Sequence, residues 1–500
     1  MSGRKALPNG DDTPVLLRAA DPVLSELLGH VFSRYPSAEG VTLAQFGWRA
    51  TPTSLVLTLR NLNLPRAGEV DLNVKHVVLR EPYLLRAALS FEKHAFGIGV
   101  IHSHPQGART TPSSIDDDMD QYLASYFRAF APGRPYASLI AARDAAVRLA
   151  LSGRVMWQDR WRRVSRVSLV GHPGTRADYG PPSLPAQREE VVARLASAFG
   201  REAAARLHHS VVAVVGAGGT GSPALEVLAR AGVGTLVAVD PDVFEASNLE
   251  RIHGSEACDL TNAPLKVGIQ RRHLLAINPA LRLMSIRGRL PQDHIVDLLV
   301  EADVVLGCTD SHSARVALSD LARRYLVPVI DAGVSLEGQD GRITGQVLQL
   351  ARMLPNDRCA YCREMVDPVR VTEELMTPEE QSRRRAAAKA AIARGESGAA
   401  YWRGTAQLNA VGYLTTATGA LAAGYAIGWL SGRFEPPFEL LQADLTQPEW
   451  AVADRPTLPH ASCACDRLYG AADQGGSDAL IVSPRHWHTP AAVGEVAGLS

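Results

Sequence analysis

Three sets of residues in this 500-residue chain have the types and spacing to do chemistry. The first is a glycine turn: the apolar run Val211–Val215 breaks at Gly216-Ala-Gly218-Gly219-Thr-Gly221, and Ser-Pro-Ala-Leu-Glu-Val-Leu-Ala-Arg comes next with a helical pattern. A strand, a tight glycine turn and a helix start make a phosphate site. Glycine lets the backbone come close to phosphate oxygens, and the helix's first N–H groups and its dipole favour an anion there. A second apolar run ends on Asp240, 19 residues after Gly221, an acid placed to bind ribose hydroxyls. This much suits a dinucleotide as well as ATP.

The second set is His102-Ser-His104-Pro105, a gap of seven residues, and Ser113-Ser-Ile-Asp116. Histidines at i and i+2 at a strand end point the same way, and an aspartate on a later turn or helix completes three ligands, leaving the fourth zinc position to water. Zinc lowers the pKa of that water to about 7, so a nearby carboxylate can turn it into a nucleophile. The third set is Cys359-x-x-Cys362 with Cys463-x-Cys465. Four thiolates in short loops suit a closed structural zinc site, since a reducing compartment disfavours disulfides.

The His–Ser–Asp pattern resembles the JAMM metalloprotease family, without departure from HxHP, the gap, or SxxD. The resemblance implies an α/β domain of cytidine-deaminase-like fold in which His102, His104 and Asp116 hold a catalytic zinc, Ser113 helps stabilise the oxyanion, and a distant glutamate is the general base. Glu39, 63 residues before His102 and at the head of the apolar run Val41–Phe46, is preferred to Glu81 and Glu92 for that role.

The residues beyond the glycine turn separate ATP from a dinucleotide. Asp240-Pro-Asp242, Asn248-Leu-Glu-Arg251, Lys266 before Ile277-Asn278-Pro279, and Thr309-Asp310 with Arg315 supply cations for a triphosphate and an aspartate for a metal. Activating a carboxylate with ATP needs that set; hydride transfer does not. Residues 198–466 therefore resemble the ubiquitin-activating and ThiF/MoeB adenylyltransferase family, which implies a Rossmann-like domain using ATP and Mg²⁺. By that resemblance, the glycine turn and Asp240 bind the nucleotide, Asn248, Arg251 and Lys266 contact phosphates, Asp310 holds Mg²⁺, and Arg194 acts across a homodimer, with Arg188 as its rival. Two departures are Ile252, where relatives usually carry glutamine, and the absence of cysteine from residues 366–462, the crossover segment where conjugating relatives keep a catalytic thiol. Cys258 and Cys308 are the remaining candidate acceptors.

The elements that must position these sets read as two domains. Residues 21–165 carry a helix near Pro22–Tyr35 and strands at Val41–Phe46, Ser54–Leu59, Val74–Leu79 and Gly97–Ile101; residues 166–187 are a Pro- and Gly-rich linker; and residues 188–468 open with a helical stretch, Gln187–Leu207. Thr377–Glu380 reads as a capping box ahead of the basic helix Ser382–Arg394. Residues 1–20 are expected to be disordered and 469–500 to form a flexible tail, His486-Trp-His488 included. Lys plus Arg equals Asp plus Glu at 52 each, so no global charge points to nucleic acid or an anionic membrane. The N-terminus lacks an apolar signal segment, and Ala410–Gly432 carries three threonines and five glycines and reads as a buried helix, so a cytoplasmic location off the membrane is expected.

Together the two resemblances imply a bifunctional enzyme: a zinc peptidase that processes or removes a ubiquitin-like protein, and an adenylating domain that activates its C-terminal glycine for transfer to a thiol, with a conjugating enzyme as partner. Bacterial ubiquitin-like systems, some tied to phage defence, are similar. A sulfur-carrier adenylyltransferase of cofactor biosynthesis and a scaffold with an inactive peptidase domain are the alternatives.

Overall fold

The computed structural model describes residues 13–72, 77–92, 95–104, 110–143, 149–170, 176–177, 183–403, 410–448, 451–453, 463 and 465–474. The chain forms two compact units, one of residues 1–181 with 323–326 and 464–476, the other of the rest.

The first unit is built on β1 (Val15–Ala20), β2 (Val41–Ala50), β3 (Leu55–Asn63), a small hairpin of β4 (Val70–Leu72) and β5 (Val77–Leu79), β6 (Gly97–His104), β7 (Tyr136–Arg143), β8 (Leu149–Trp157), β9 (Arg160–Val170) and β10 (Arg176–Ala177). Its helices are α1 (Val23–Leu28), which runs into a π turn, α2 (Glu81–Glu92) and α3 (Ser114–Phe130). The sheet runs β1-β3-β2-β6-β7-β8-β9-β10, and β1 also pairs with β9, so the strands close into a ring. Period-two alternation explains its two cores. Val15, Leu17, Leu55, Leu57, Ile101 and Leu139 pack on one face, while Val41, Leu43, Ile98 and Val100 pack with Phe91 of α2 and Phe127 of α3 on the other.

Two expectations are corrected here. Residues 15–20 are not disordered: Val-Leu-Leu-Arg-Ala-Ala is wholly buried because β1 lies between two parallel neighbours, β3 and β9. A strand buried on both faces shows no alternation to mark it. Nor does an unstructured tail begin at 469. Gly470, Ala471 and Ala472 are buried in the first unit, where Thr58 Oγ1 donates to the Gly470 carbonyl (2.9 Å) and Gln474 Oε1 accepts from Trp48 N (2.8 Å). These partners are more than 400 residues apart, and no local pattern encodes such a pairing. His486 and His488 lie outside the described residues.

The second unit opens with α4 (Ala186–Glu189), α5 (Ala193–Phe199) and α6 (Arg201–His208), so the single helical stretch expected there is broken, with Gly200 at φ +94° between α5 and α6. A doubly wound core comes next: β11 (Val211–Val215), α7 (Gly221–Arg230), β12 (Thr235–Val239), α8 (Asp259–Asn262), α9 (Lys266–Ile277), β13 (Arg282–Ile286), α10 (Asp293–Leu299), β14 (Val304–Gly307), α11 (His312–Tyr325), β15 (Val329–Gln339) and β16 (Arg342–Met353). After α12 (Pro368–Leu375), α13 (Pro378–Ala393) and α14 (Gly412–Ser431), strands β17 (Leu440–Asp444) and β18 (Ala451–Ala453) complete a sheet of order β13-β12-β11-β14-β15-β16-β17-β18. β11 is the first strand in sequence, and β12 and β14 flank it on opposite sides in parallel. The order thus reverses at β11, and ligands of such sheets bind beyond the strand ends at that point. No helix among the described residues is long and apolar enough to cross a membrane; α14 instead buries Ala422, Ala423, Ala426 and Ile427 in this unit's core.

Candidate functional site

In the second unit the glycine turn sits where β11 meets α7. Gly216 has φ +97°, and a Cβ there would lie 2.2 Å from the Cys308 carbonyl oxygen, so the turn and the end of β14 touch backbone to backbone. A Cβ on Gly221 would strike the Gly216 carbonyl at 1.8 Å, whereas one on Gly218 would meet nothing within 4 Å. That open backbone is the cradle a phosphate needs. Asp240 is buried at the end of β12, its Oδ2 accepting from Ala217 N (2.7 Å) and its Oδ1 from Asp242 N (2.9 Å). Burial raises its carboxyl, an effect opposed by Lys266 and the two N–H groups.

Lys266 is the first residue of α9 and pairs with Asp242 at 2.8 Å. Arg251 bends against the turn: its Cδ lies 3.2 Å from where a Gly219 Cβ would be, and its Nη1 donates to the Ala410 carbonyl (3.1 Å). Asn248 is buried, and its Oδ1 accepts from Glu245 N (3.2 Å), capping a 3₁₀ turn. Asp310 is exposed on the loop after β14, beside the turn because Cys308 N bonds to Val215 O (2.8 Å). Asp331, on β15, is buried, and its Oδ2 accepts from Arg315 Nε (3.1 Å). Arg194 is exposed on α5, and no ion pair ties it to this group among the described residues; Arg188 is engaged with Asn278 Oδ1 at 2.6 Å.

The two spare cysteines differ sharply. Burial first, then the charge of Asp331, pushes the Cys308 thiol far above the range in which it would ionise near neutrality. Cys258 is exposed, with its Sγ 3.6 Å from Glu256 Oε2.

In the second unit the thiols of Cys359, Cys362 and Cys463 all lie within 4.8 Å of one another, with the Sγ atoms of Cys359 and Cys463 3.5 Å apart, and Cys465 comes two residues later in the chain. A tetrahedron of sulfurs at Zn–S distances of about 2.3 Å fits that spacing. The Cys362→Ser variant should therefore lose about one equivalent of zinc per chain and unfold at a lower temperature, because structural zinc contributes folding energy directly. Elemental analysis beside a thermal scan checks this, and unchanged zinc content would refute the site.

In the first unit His102 and His104 stand at the end of β6, and α3 brings Asp116 to them; one atom from each residue lies within 4.8 Å of the others. The SxxD spacing acquires a physical reason. Ser113 is the N-cap of α3 and Asp116 its N3 residue, and they form a capping box: Ser113 N donates to Asp116 Oδ2 (2.6 Å) and Asp116 N to Ser113 Oγ (3.3 Å). This holds the other oxygen, Oδ1, 3.4 Å from His102 Nε2. The His102 ring is buried, and neither of its nitrogens has a hydrogen-bond partner among the described residues. Burial, outweighing the attraction of Asp116, pushes its pKa down to about 4. A neutral, buried imidazole with unmet nitrogens is what a metal ligand requires, so the residues fit zinc.

Among the three glutamates, β2 favours Glu39. Val41 pairs with His102, and Ser103 N bonds to the Gly40 carbonyl (2.9 Å), so the chain at Glu39 borders the strand end that bears both histidines. Glu81 and Glu92 are exposed at opposite ends of α2. Residues given no role by sequence reasoning include Asp120, whose carboxylate is buried under Arg154 (Nε to Oδ2, 2.7 Å), and the trio Glu226, His253 and His273.

Among known proteins, "Adenylyltransferase and sulfurtransferase UBA4" of Saccharomyces cerevisiae is 36% identical over 158 residues, 31% of this chain and 34% of the yeast protein. "SAMP-activating enzyme E1" of Haloferax volcanii is 35% identical over 143 residues, 28% of this chain and 52% of that enzyme. The chain thus spans about a third of the yeast protein and about half of the archaeal one. Among solved structures, E. coli MccB crystallised with AMPCPP and MccA overlays with a TM-score of 0.41 and 16% identity, covering 56% of this chain and 76% of MccB. The ThiF family matches residues 192–465, more than half of the 500 and including the glycine turn, Asp240, Arg251, Lys266 and Asp310, and the chain accordingly belongs to the ThiF family.

Proposed function

We propose that this chain adenylates the C-terminal glycine of a ubiquitin-like or sulfur-carrier protein and, in its first unit, hydrolyses a peptide or isopeptide bond at that glycine. The observation that carries the reading is the gathering of Arg251, Lys266 and Asp240 around an open glycine turn. In the adenylation step the glycine carboxylate attacks the α-phosphorus of ATP and pyrophosphate leaves. The turn's N–H groups and Lys266 hold phosphates, Asp240 takes the ribose, Arg251 and Asn248 orient the α-phosphate, and Asp310 would hold Mg²⁺, which when bound shields the charge of the triphosphate. Arg194 would serve the partner site of a homodimer.

For hydrolysis, His102, His104 and Asp116 would hold zinc, which when bound supplies a water acidified to a pKa of about 7. Glu39 accepts a proton from the attacking water and returns it to the leaving amine, and the Ser113 hydroxyl helps stabilise the developing oxyanion. Both units would then act on one tail, the first exposing the glycine carboxylate that the second activates. Two relatives bear on the tail's chemistry: one is named for activating SAMP, the other for adenylyl and sulfur transfer. Residues 366–462 contain no cysteine and the Cys308 thiol is held protonated, so the acyl group passes to an external thiol or to exposed Cys258. The external route favours a conjugating enzyme or a sulfur donor as partner.

The test is ATP–pyrophosphate exchange by the full chain, supplied with candidate ubiquitin-like proteins ending in glycine or carrying a short extension. Exchange with the mature form, and with the extended form only while Glu39 is intact, is expected. Absence of exchange with every candidate would overturn the reading.

A further inference from the structure

Beside the glycine turn, one carboxylate is shared by two histidines that no motif includes. Glu226 lies on α7, the helix that the turn begins. Its Oε2 meets His273 Nε2 at 2.9 Å and His253 Nδ1 at 3.2 Å, and its Oε1 accepts from Arg230 Nε at 2.8 Å. The second nitrogen of His253, Nε2, is 3.0 Å from Thr416 Oγ1 on α14. With both imidazoles neutral, the network satisfies every contact: two ring N–H groups donate to the carboxylate, and the Thr416 hydroxyl donates to His253. Burial alone would raise the Glu226 carboxyl, but the hydrogen bonds of His273, Arg230 and His253 overcome it and hold it down at about 2. It is therefore a carboxylate throughout the physiological range.

The elements that meet at Glu226 are those that carry the candidate ATP contacts. α7 starts in the turn, His253 comes two residues after Arg251, and His273 belongs to the helix that Lys266 begins. The His253 backbone is also tied to the turn, its N–H donating to Ser222 Oγ (3.0 Å) and that hydroxyl to the Gly218 carbonyl (2.7 Å). Gly254 adopts φ +80°, and a Cβ there would lie 2.4 Å from the His273 ring, so the ring packs straight onto the backbone after His253. The loop bearing Arg251 is thus clamped from its side chains, its backbone and its next residue.

We propose that Glu226 is a positioning residue for nucleotide binding: through His253 it fixes the Arg251 loop against the glycine turn, with His273 as the second anchor. The proposal rests on the nucleotide-binding reading of that turn but not on the identity of any protein substrate.

The test is isothermal titration of Mg²⁺–ATP into the full chain and into Glu226→Ala, Arg251→Ala and the double variant, with unfolding temperatures recorded alongside. Glu226→Ala is expected to weaken binding about tenfold, a change equivalent to one well-placed charged contact. In the Arg251→Ala background it should add less than about twofold, because residues acting through one another are not additive. Glu226→Gln, which keeps one acceptor oxygen, should recover part of the loss. If Glu226→Ala does not stay folded, His253→Asn replaces it in the same cycle. Fully additive losses, or an unchanged affinity in Glu226→Ala, would overturn the proposal while leaving the nucleotide site standing. A wild-type chain that binds no ATP would remove both.

Discussion

The Asp310→Asn protein should fold as the wild type does and lose ATP–pyrophosphate exchange by a factor on the order of 10³. Asp310 is exposed on the loop that leaves β14, the strand beside β11 at the point where sheet order reverses. A second acid, Asp331, which pairs with Gly307 of β14, is buried and committed to Arg315 at 3.1 Å. On the proposed reading, Asp310 is the acid that would meet a solvated cation on a triphosphate, and replacing its charge would remove that ligand without disturbing a core. Asp331→Asn provides the contrast. Burial raises that carboxyl, its Oδ1 has no hydrogen-bond partner among the described residues, and its effect should appear in the unfolding temperature. If exchange survives in Asp310→Asn at more than about a tenth of the wild-type rate, the metal role assigned to it is wrong.

The sequence and the structure agree most closely where chemistry and backbone share one local pattern. The glycine turn is such a place: five apolar residues, then glycines whose missing Cβ atoms the packing demands at Gly216 and Gly221. SxxD is another, since the spacing that presents Asp116 is also the spacing of a capping box. The illegible parts depend on partners far away in sequence. β1 is buried on both faces, and only its pairing with β3 and β9 distinguishes it from a disordered leader. Residues 469–474 read as the start of a tail, yet Gly470 and Gln474 bond to Thr58 and Trp48. The Glu226 trio is hidden for the same reason, its members being 20 to 47 residues apart on three elements. Nothing in composition or periodicity announces a carboxylate shared by two rings.

For the first unit, Glu39→Gln should abolish cleavage of an extended ubiquitin-like substrate, by a factor of about 10² to 10⁴ in rate, while leaving zinc content and the unfolding temperature nearly unchanged. The reason is geometric. Glu39 precedes β2, and the pairing of Val41 with His102 brings that end of the strand to the histidines, whereas the atoms that could hold a metal belong to His102, His104 and Asp116. Removing the proposed base in this way would leave the proposed ligands in place. His104→Ala, by contrast, would remove one of those ligands and should take with it both activity and about one equivalent of zinc. The pair of variants separates a dead scaffold from a peptidase. A scaffold would bind zinc or not, as its ligands dictate, but neither change would alter the processing of any tail. A wild-type protein that holds zinc, cleaves nothing and still supports exchange with a mature glycine terminus would reduce the first unit to a binding domain. Cleavage that stops in Glu39→Gln while exchange with the mature form continues at the wild-type rate would establish two independent sites acting in succession on one C-terminal tail.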